Sequence, residues 1–323
     1  MGARCGRNLV GVGCSVALFM AWRGSFGDTR LWWSQTREGK VWSPRQRVFG
    51  AASAEKPALA AWRGLLYLAW RDAGPDQALW WATYDGRGWS GPRPVPGAAS
   101  SHAPALVANR GGLHLYCKGA GGDERLWQTM FDGRSWSPPQ ALFDDWPMTA
   151  SRPAATATHT TSVWLAFTGA GQDRTVHLCP SPDGLLWNHR DVIVGPAMAV
   201  SAWPSLAGRA GRAERLLLAW PDHDGRVWCA VCDDAAGHWS PPVAAPVRSL
   251  RGVGFAGWGT VDAYAAWAVA PEEDYGIFWA DTAGGTAWRD PVTGSVLRPG
   301  QRRLEGWVSL REPAMAAFGR MWR

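Results

Sequence analysis

An aspartate recurs at a fixed distance from an apolar run along the chain, and it is a residue type suited to ligand recognition. It lies three residues before a Leu, Val or Ile in six segments, as Asp28, Asp76, Asp123, Asp173, Asp224 and Asp274. A carboxylate can accept hydrogen bonds from neighbouring hydroxyl groups of a ligand, or it can cap its own loop as an Asx-turn. The sequence leaves both roles open.

Basic, polar and aromatic residues accompany these aspartates. A basic or polar residue ends the apolar run before several of them, and a serine precedes the proline that opens most segments. Charged hydrogen bonds and a flat indole face suit the recognition of a sugar ring. The candidate carbohydrate contacts are Arg23, Asp28, Arg71, Asp76, Ser101, Lys118, Asp123, Ser151, Thr168, Asp173, Asp224, Asp274, Trp32, Trp80 and Trp127. No catalytic residue is predicted.

The elements that must position these residues form a repeat. Its clearest copy begins at Pro57, passes through the runs 65–70 and 79–84, and ends with Trp89-Ser90. Each copy holds four apolar runs of strand length between turn signals such as Asp85-Gly86, and none has the length or period of a helix. Abundant glycine (39), proline (23) and tryptophan (24) also favour short strands and tight turns. Each copy is therefore predicted to form one antiparallel sheet.

The spacing of the copies is typical of β-propeller blades. The tryptophan of the fourth run recurs every 47 to 52 residues, as Trp42, Trp89, Trp136, Trp187, Trp239 and Trp288. We predict an all-β fold in which residues 1–323 form one propeller of six four-stranded blades, with seven blades as the alternative. The blades are expected at about 1–50, 51–98, 99–146, 147–198, 199–247 and 248–300. Residues 301–323 are expected to close the ring, because 313–318 repeats a first strand and can pair with the N-terminal blade.

The motifs resemble the blades of PLL-type bacterial β-propeller lectins over nearly the whole chain. The similar segments are Pro57-Ala-Leu-Ala, Leu66-Tyr-Leu-Ala-Trp70, Leu79-Trp-Trp81 and Asp85-Gly-x-x-Trp89-Ser. The resemblance implies binding of fucose-type and related sugars between or beside blades. Those lectins usually have seven blades, so their number of sites is not carried over. The expected function is lectin-like binding of glycans at repeated shallow sites on one rim, without catalysis.

Two other functions stay open. The segment Ser181-Pro-Asp183-Gly-Leu-Leu-Trp187 is similar to the Asp-box of sialidase-like propellers, although Gly184 directly follows Asp183 where that motif has its glycine two residues on. An exo-glycosidase would further need an arginine cluster and a Tyr/Glu nucleophilic pair. The chain has five tyrosines, mostly at strand positions, from which such a site is hard to assemble. The remaining alternative is a protein-interaction scaffold that uses a whole rim as its docking surface.

Charge and cysteine usage argue against several other classes. The net charge of +6 comes from scattered arginines, so we predict no nucleic-acid partner. The Cys229-x-x-Cys232 pair stands alone, so no metal or cofactor is predicted and the cysteines are interpreted as buried free thiols. Residues 9–22 resemble a secretory signal, but 16–33 matches 64–81 without a gap and is interpreted as half a blade. No membrane span is predicted, and the compartment and oligomeric state are left open.

Overall fold

The computed structural model describes residues 17–25, 27–37, 39–143, 149, 152–157, 162–171, 173, 175–187, 191–193, 204–209, 215–232, 239–250, 252–258, 261–268, 276–283, 287–290, 303–308 and 313–318. All regular secondary structure within these ranges is β-strand. The described ranges accordingly contain no helix that is long and apolar enough to cross a bilayer.

Six antiparallel sheets follow one another along the chain, and each is a blade. Blade 1 contains β1 (Ala17–Arg23), β2 (Arg30–Thr36) and β3 (Gln46–Ala52). Blade 2 contains β4 (Ala58–Trp62), β5 (Leu65–Arg71), β6 (Ala78–Tyr84) and β7 (Arg93–Ala99). Blade 3 contains β8 (Ala105–Ala108), β9 (Leu113–Lys118), β10 (Leu126–Phe131) and β11 (Gln140–Ala141).

The second half of the chain continues the pattern. Blade 4 contains β12 (Ala154–Ala157), β13 (Val163–Thr168), β14 (Val176–Ser181) and β15 (Asp191–Ile193). Blade 5 contains β16 (Ser205–Arg209), β17 (Arg215–Pro221), β18 (Arg226–Cys232) and β19 (Val243–Arg248). Blade 6 contains β20 (Gly254–Trp258), β21 (Val261–Ala268), β22 (Gly276–Ala283) and β23 (Ala287–Arg289). A fifth strand, β24 (Arg303–Val308), pairs with β22 and extends blade 6 past the predicted limit at residue 300.

The last strand, β25 (Ala314–Phe318), closes the ring. It pairs antiparallel with β1 and becomes the innermost strand of blade 1, so that Ala17 lies opposite Phe318 and Ala21 opposite Ala314. The innermost strands also contact one another around the axis: β25 lies against both β4 and β20. The prediction of six blades closed by the C-terminal strand is confirmed, and the seven-bladed alternative is wrong.

Turns between the strands follow the predicted chemistry. The Asp85 carboxylate accepts the N–H groups of Arg87 and Gly88 at 2.8 and 2.9 Å, and Gly86 has a φ of 96°. A positive φ of this size strains a residue that carries a Cβ. The interpretation of the Asp-Gly pairs as hairpin turns is therefore confirmed at this loop.

The hydrophobic core is divided among the six gaps between neighbouring blades. Each apolar cluster combines one face of a blade with the facing side of the next; in the gap between blades 2 and 3, for example, Trp81 and Val95 pack with Phe131 and Trp136. A sheet with two apolar faces can bury both of them only between two neighbours. The tryptophans are thus primarily packing residues, as predicted, and Cys117, Cys179, Cys229 and Cys232 are buried free thiols.

Candidate functional site

The recurring aspartate forms a brace to the third strand in blades 1 and 3. Asp28 accepts the backbone N–H and the guanidinium of Arg30, and its second oxygen accepts the indole N–H of Trp32 at 2.9 Å. In blade 3, Asp123 binds Arg125 and Trp127 in the same way, with an indole bond of 2.9 Å. The Asx-turn and the charged pair therefore occur together in one loop.

These donors stabilise the ionised carboxylates. The side-chain hydrogen bond from Arg125 is the largest influence on Asp123 and lowers its pKa to about 2. At Asp28, burial acts to raise the pKa, but the bonds from Arg30 and Trp32 together outweigh it, and the pKa is again about 2. Both carboxylates are consequently charged at neutral pH and keep acceptor capacity beside the indole rings.

Blades 4 and 5 carry modified versions of this brace. In blade 4, His177 takes the place of the indole, and its Nε2 lies 2.7 Å from Asp173 Oδ2. In blade 5 the indole of Trp228 donates to Asp222 at 3.1 Å, not to the predicted Asp224. The loop before β18 is two residues shorter than its counterparts, so the aspartate directly after β17 reaches the indole while Asp224 is exposed beside His223.

Blade 2 lacks the brace although its loop has the same length. Asp76 is exposed, and its only described bond is a 3.4 Å contact from the N–H of Ala78. The position of Asp72 is taken by glycine in the loops of blades 1, 3 and 4, where a Cβ on Gly24, Gly119 or Gly169 would overlap the carboxyl group of Asp28, Asp123 or Asp173. The side chain of Asp72 therefore excludes this orientation, and the buried indole nitrogen of Trp80 has no hydrogen-bond partner among the described residues. Blade 5 has Asp222 at the position of Asp72, and there Asp222 itself accepts the indole N–H across the shorter loop.

Three of the remaining candidates connect neighbouring blades. Arg23 Nε donates to the carbonyl of Ser53 at 2.8 Å, and Arg71 Nε donates to the carbonyl of Ser100 at 2.9 Å. Ser101 donates to the carbonyl of Gly119 at 2.8 Å. Lys118 and Thr168 are 7% and 1% exposed and thus present little surface to a ligand. Ser151 and Asp274 lie outside the described residues.

One cavity brings two of the predicted contacts together in the gap between blades 2 and 3. It has a volume of about 230 Å³ and is partly open. Asp123, Trp127 and Thr129 line it from blade 3, and Gly97, Ala98 and Ala99 form the facing wall on blade 2. Polar groups on one wall and small apolar groups on the other resemble the general composition of ligand pockets, and the size suits a ligand of one small ring.

Several residues of this cavity were not predicted from the sequence. Cys117 lines it where the equivalent residue in most copies is aromatic, a departure that a comparison of the copies shows directly. The wall Gly97-Ala-Ala99 repeats as Gly50-Ala-Ala52, so it too was visible as a small-residue element of the repeat. Asp222 was not predicted because it lies five residues before Val227, whereas the recurring aspartate lies three residues before the apolar residue of the third strand.

The Asp-box-like segment is held within a network on the opposite rim. Asp183 accepts the N–H groups of Leu185 and Leu186 at 2.8 Å each, and Ser181 Oγ lies 3.2 Å from the same carboxylate oxygen. Asn109 and Tyr116 of blade 3 donate to the carbonyls of Asp183 and Gly184 at 2.6 and 2.7 Å. These bonds join blade 4 to blade 3, which is a structural role.

One exposed group offers several possible metal ligands. Ligand atoms of Asp222, His223 and Asp224 lie within 4.8 Å of one another. Both oxygens of Asp222 already accept hydrogen bonds from its own loop and from Trp228. Exposed acidic groups of this kind are common on protein surfaces, so no metal site is assigned here.

Comparison with known proteins supports the fold. No protein-family model and no curated protein matches the chain. A structure of the Aleuria aurantia lectin in complex with α-methyl-L-fucoside aligns with a TM-score of 0.64 and 12% identity, over 91% of this chain and 98% of that chain. That lectin is described as a six-bladed β-propeller with a fucose recognition mode of its own.

Two further solved structures have the same architecture. AofleA from Arthrobotrys oligospora aligns with a TM-score of 0.61 and 14% identity, over 94% of this chain and 91% of that chain. The BP39L lectin from Burkholderia pseudomallei aligns with a TM-score of 0.58 and 16% identity, over 84% of this chain and 83% of that chain. At these identities the likeness establishes the fold. The structural neighbours of this chain include propeller lectins.

Proposed function

We propose that this protein is a carbohydrate-binding propeller, lectin-like and without catalysis, that takes a fucose-type sugar between blades 2 and 3. The observation that carries the proposal is the cavity of about 230 Å³ in which the Asp123 carboxylate and the Trp127 indole face a wall of small apolar residues. A 6-deoxy sugar matches this arrangement, since its ring presents hydroxyl groups along one side and its methyl group is apolar.

The polar side of the cavity suits hydroxyl recognition for a physical reason. Asp123 is ionised and its orientation is fixed by Arg125 and Trp127, so a sugar hydroxyl can donate to it without any loss of carboxylate freedom. Hydrogen bonds to a charged acceptor contribute about 1.5 to 3 kcal/mol, more than neutral ones. The structural neighbours support the sugar class, because one of them was solved with α-methyl-L-fucoside.

A glycan array that includes fucosides, other deoxy sugars and methylated sugars tests this function. We expect saturable binding of a fucose-type ligand by the folded protein. Absence of binding to every sugar on the array, with the far-UV circular dichroism of a β-protein intact, would contradict the proposal.

A matched pair of substitutions locates the site. Asp28 and Asp123 make the same brace, but only Asp123 lines the described cavity. We expect Asp123→Asn to weaken binding of methyl α-L-fucoside by about tenfold, because the charged acceptor becomes neutral. The control Asp28→Asn should lose comparable stability and keep the affinity of the parent protein. Equal affinities of the two variants would place the sugar elsewhere.

A further inference from the structure

One position on the second strand of every blade faces the preceding blade, and we call it the plug position. Its six occupants are Trp22, Trp70, Cys117, Phe167, Trp220 and Trp267. Strand register makes them equivalent, because each lies directly opposite an aromatic or histidine side chain of the third strand. The pairs are Trp22 with Trp32, Trp70 with Trp80, Cys117 with Trp127, Phe167 with His177, Trp220 with Trp228 and Trp267 with Phe278.

At five of these positions a large aromatic side chain fills the gap. Their exposures are 0% for Trp22 and Phe167, 1% for Trp70 and Trp220 and 3% for Trp267. Each belongs to the apolar cluster of the gap that it faces. In blade 3 the plug is Cys117, whose single sulfur atom cannot occupy the space of an indole, and this residue lines the cavity.

The gap between blades 1 and 2 provides a comparison within the molecule. Its wall, Gly50-Ala-Ala52, has the same sequence as the wall Gly97-Ala-Ala99 of the cavity. Both glycines have a positive φ, of 74° and 69°, and approach a proline of the next blade, Pro92 or Pro139. Trp70 packs in one cluster with Ala51, and Cys117 packs in one cluster with Ala98. The smaller Cys117 side chain and Ala98 nevertheless line the cavity. The walls agree, and the plug residue differs.

We propose that Cys117 is the residue that makes the gap between blades 2 and 3 a binding site, so that the ring takes one ligand at these six positions instead of one per blade. This inference rests on the proposed function and specifies its valency. A chain with a single site cannot by itself cross-link glycans or gain avidity by binding several of them.

Filling the cavity tests the inference. We expect Cys117→Trp to reduce binding of methyl α-L-fucoside more than about tenfold, because an indole placed there excludes the ligand. Cys117→Phe copies the plug of blade 4 and serves as a second variant should the indole prevent folding. Isothermal titration measures the affinity, with near-UV circular dichroism as the check on folding. The control is Cys229→Ala, which removes a buried thiol of blade 5 outside the cavity and is expected to retain the parent affinity.

Opening a second cavity tests the same inference by a gain of binding. The triple variant Trp70→Cys, Asp72→Gly and Ala78→Arg changes three residues of blade 2 to those of blade 3. Their equivalents there are Cys117, Gly119 and Arg125. We expect the number of fucoside molecules bound to rise from one to two. A folded triple variant that still binds one molecule would overturn the role given to the plug.

The outcomes separate the inference from the proposed function. If the parent protein binds no sugar, the function fails, whatever the variants do. If the parent binds the fucoside and both Cys117→Trp and Cys117→Phe bind it equally well, the function stands and the inference is overturned. A parent stoichiometry of several fucosides per chain would also overturn it.

Discussion

The Asp123 carboxylate is oriented by donors from its own loop, and Gly119 makes that orientation possible. A Cβ at residue 119 would overlap the carboxyl carbon of Asp123. The Asp123 side chain could then adopt only orientations that point away from Trp127. In a loop of this length the brace therefore needs two residues four apart in sequence, a glycine and an aspartate, and blade 2 shows that the aspartate alone does not form it.

This geometry predicts that Gly119→Ala destabilises the fold. Loss of the bond from the part-buried Trp127 indole, whose N–H would be left without an acceptor, is expected to lower the free energy of unfolding by about 1 to 3 kcal/mol. The matched control is Gly122→Ala in the same loop, because a Cβ there meets no atom within 4 Å. Urea unfolding followed by tryptophan fluorescence measures both variants. Equal stabilities of the two would show that the brace does not contribute.

His114 is the second residue whose environment makes a prediction. Its Nε2 lies 3.0 Å from Asn109 Oδ1, which also accepts two backbone N–H groups, so the histidine is the donor. Burial lowers the pKa of His114 to about 4, against an opposing influence of Asp183. Because the folded-state pKa lies below the unfolded value of 6.5, protonation favours the unfolded chain.

Stability should therefore fall as the pH decreases from about 6.5 towards 4, by on the order of 3 kcal/mol from this group. His114→Gln removes the titration and is expected to flatten the dependence of the urea midpoint on pH in that window. The carboxylates of Asp28 and Asp123 affect stability only below this pH window, between about pH 4 and pH 2. A variant with the same slope as the parent protein between pH 6.5 and 4.5 would contradict the assignment.

At the scale of elements, ring closure depends on a close approach of two inner strands. The carbonyl of Pro313, just before β25, lies where a Cβ of Gly254 on β20 would be. Other inner strands have Ala or Ser at this position, as in Ala58, Ala105 and Ser205. Backbone cannot move away as a flexible side chain can, so the closing strand requires glycine in blade 6.

We expect Gly254→Ala to lower the free energy of unfolding by about 1 to 3 kcal/mol or more, the usual cost of overpacking. The control is Gly91→Ala, since a Cβ there has no neighbour within 4 Å. Thermal unfolding of both variants by circular dichroism measures the difference. A melting temperature of Gly254→Ala equal to that of the control would show that β20 and β25 do not approach in this way.

The sequence predicted the elements well because each blade repeats its own turn and strand chemistry. Apolar runs, Asp-Gly turns and a tryptophan every 47 to 52 residues determine six sheets and the closing strand. The strand β24 of blade 6 pairs with β22 in the register that β7 has with β6, but it was missed because 15 positions separate Arg303 from Trp288, against four between Arg93 and Trp89. Position in a repeat predicts an element only where the copies agree.

At the scale of the whole molecule, the candidate site follows from a difference between copies. The sequence located Asp123 and Trp127, but it could not decide between ligand recognition and loop capping, because one carboxylate can do both. The cavity depends on how much space the residues of two blades leave between them, a tertiary property. Its sign in the sequence is Cys117, the one plug without an aromatic ring.

The proposed binding depends on the packing of blade 2 against blade 3, since the two walls of the cavity belong to different sheets. Blade 2 supplies Ala98 and Ala99, and blade 3 supplies Asp123 and Trp127. Any change that loosens the packing of neighbouring blades should therefore weaken binding together with stability. Cys117→Trp and Cys117→Phe differ from such changes, because they are expected to weaken binding by filling the cavity and not by separating the blades.

A crystal structure of the protein soaked with methyl α-L-fucoside tests the central claim most directly. The account predicts a closed ring of six blades with the sugar bound between blades 2 and 3, one face towards Ala98 and Ala99 and a hydroxyl group donating to Asp123. A sugar bound at any other place, or an empty cavity between these blades at a saturating concentration, would contradict it.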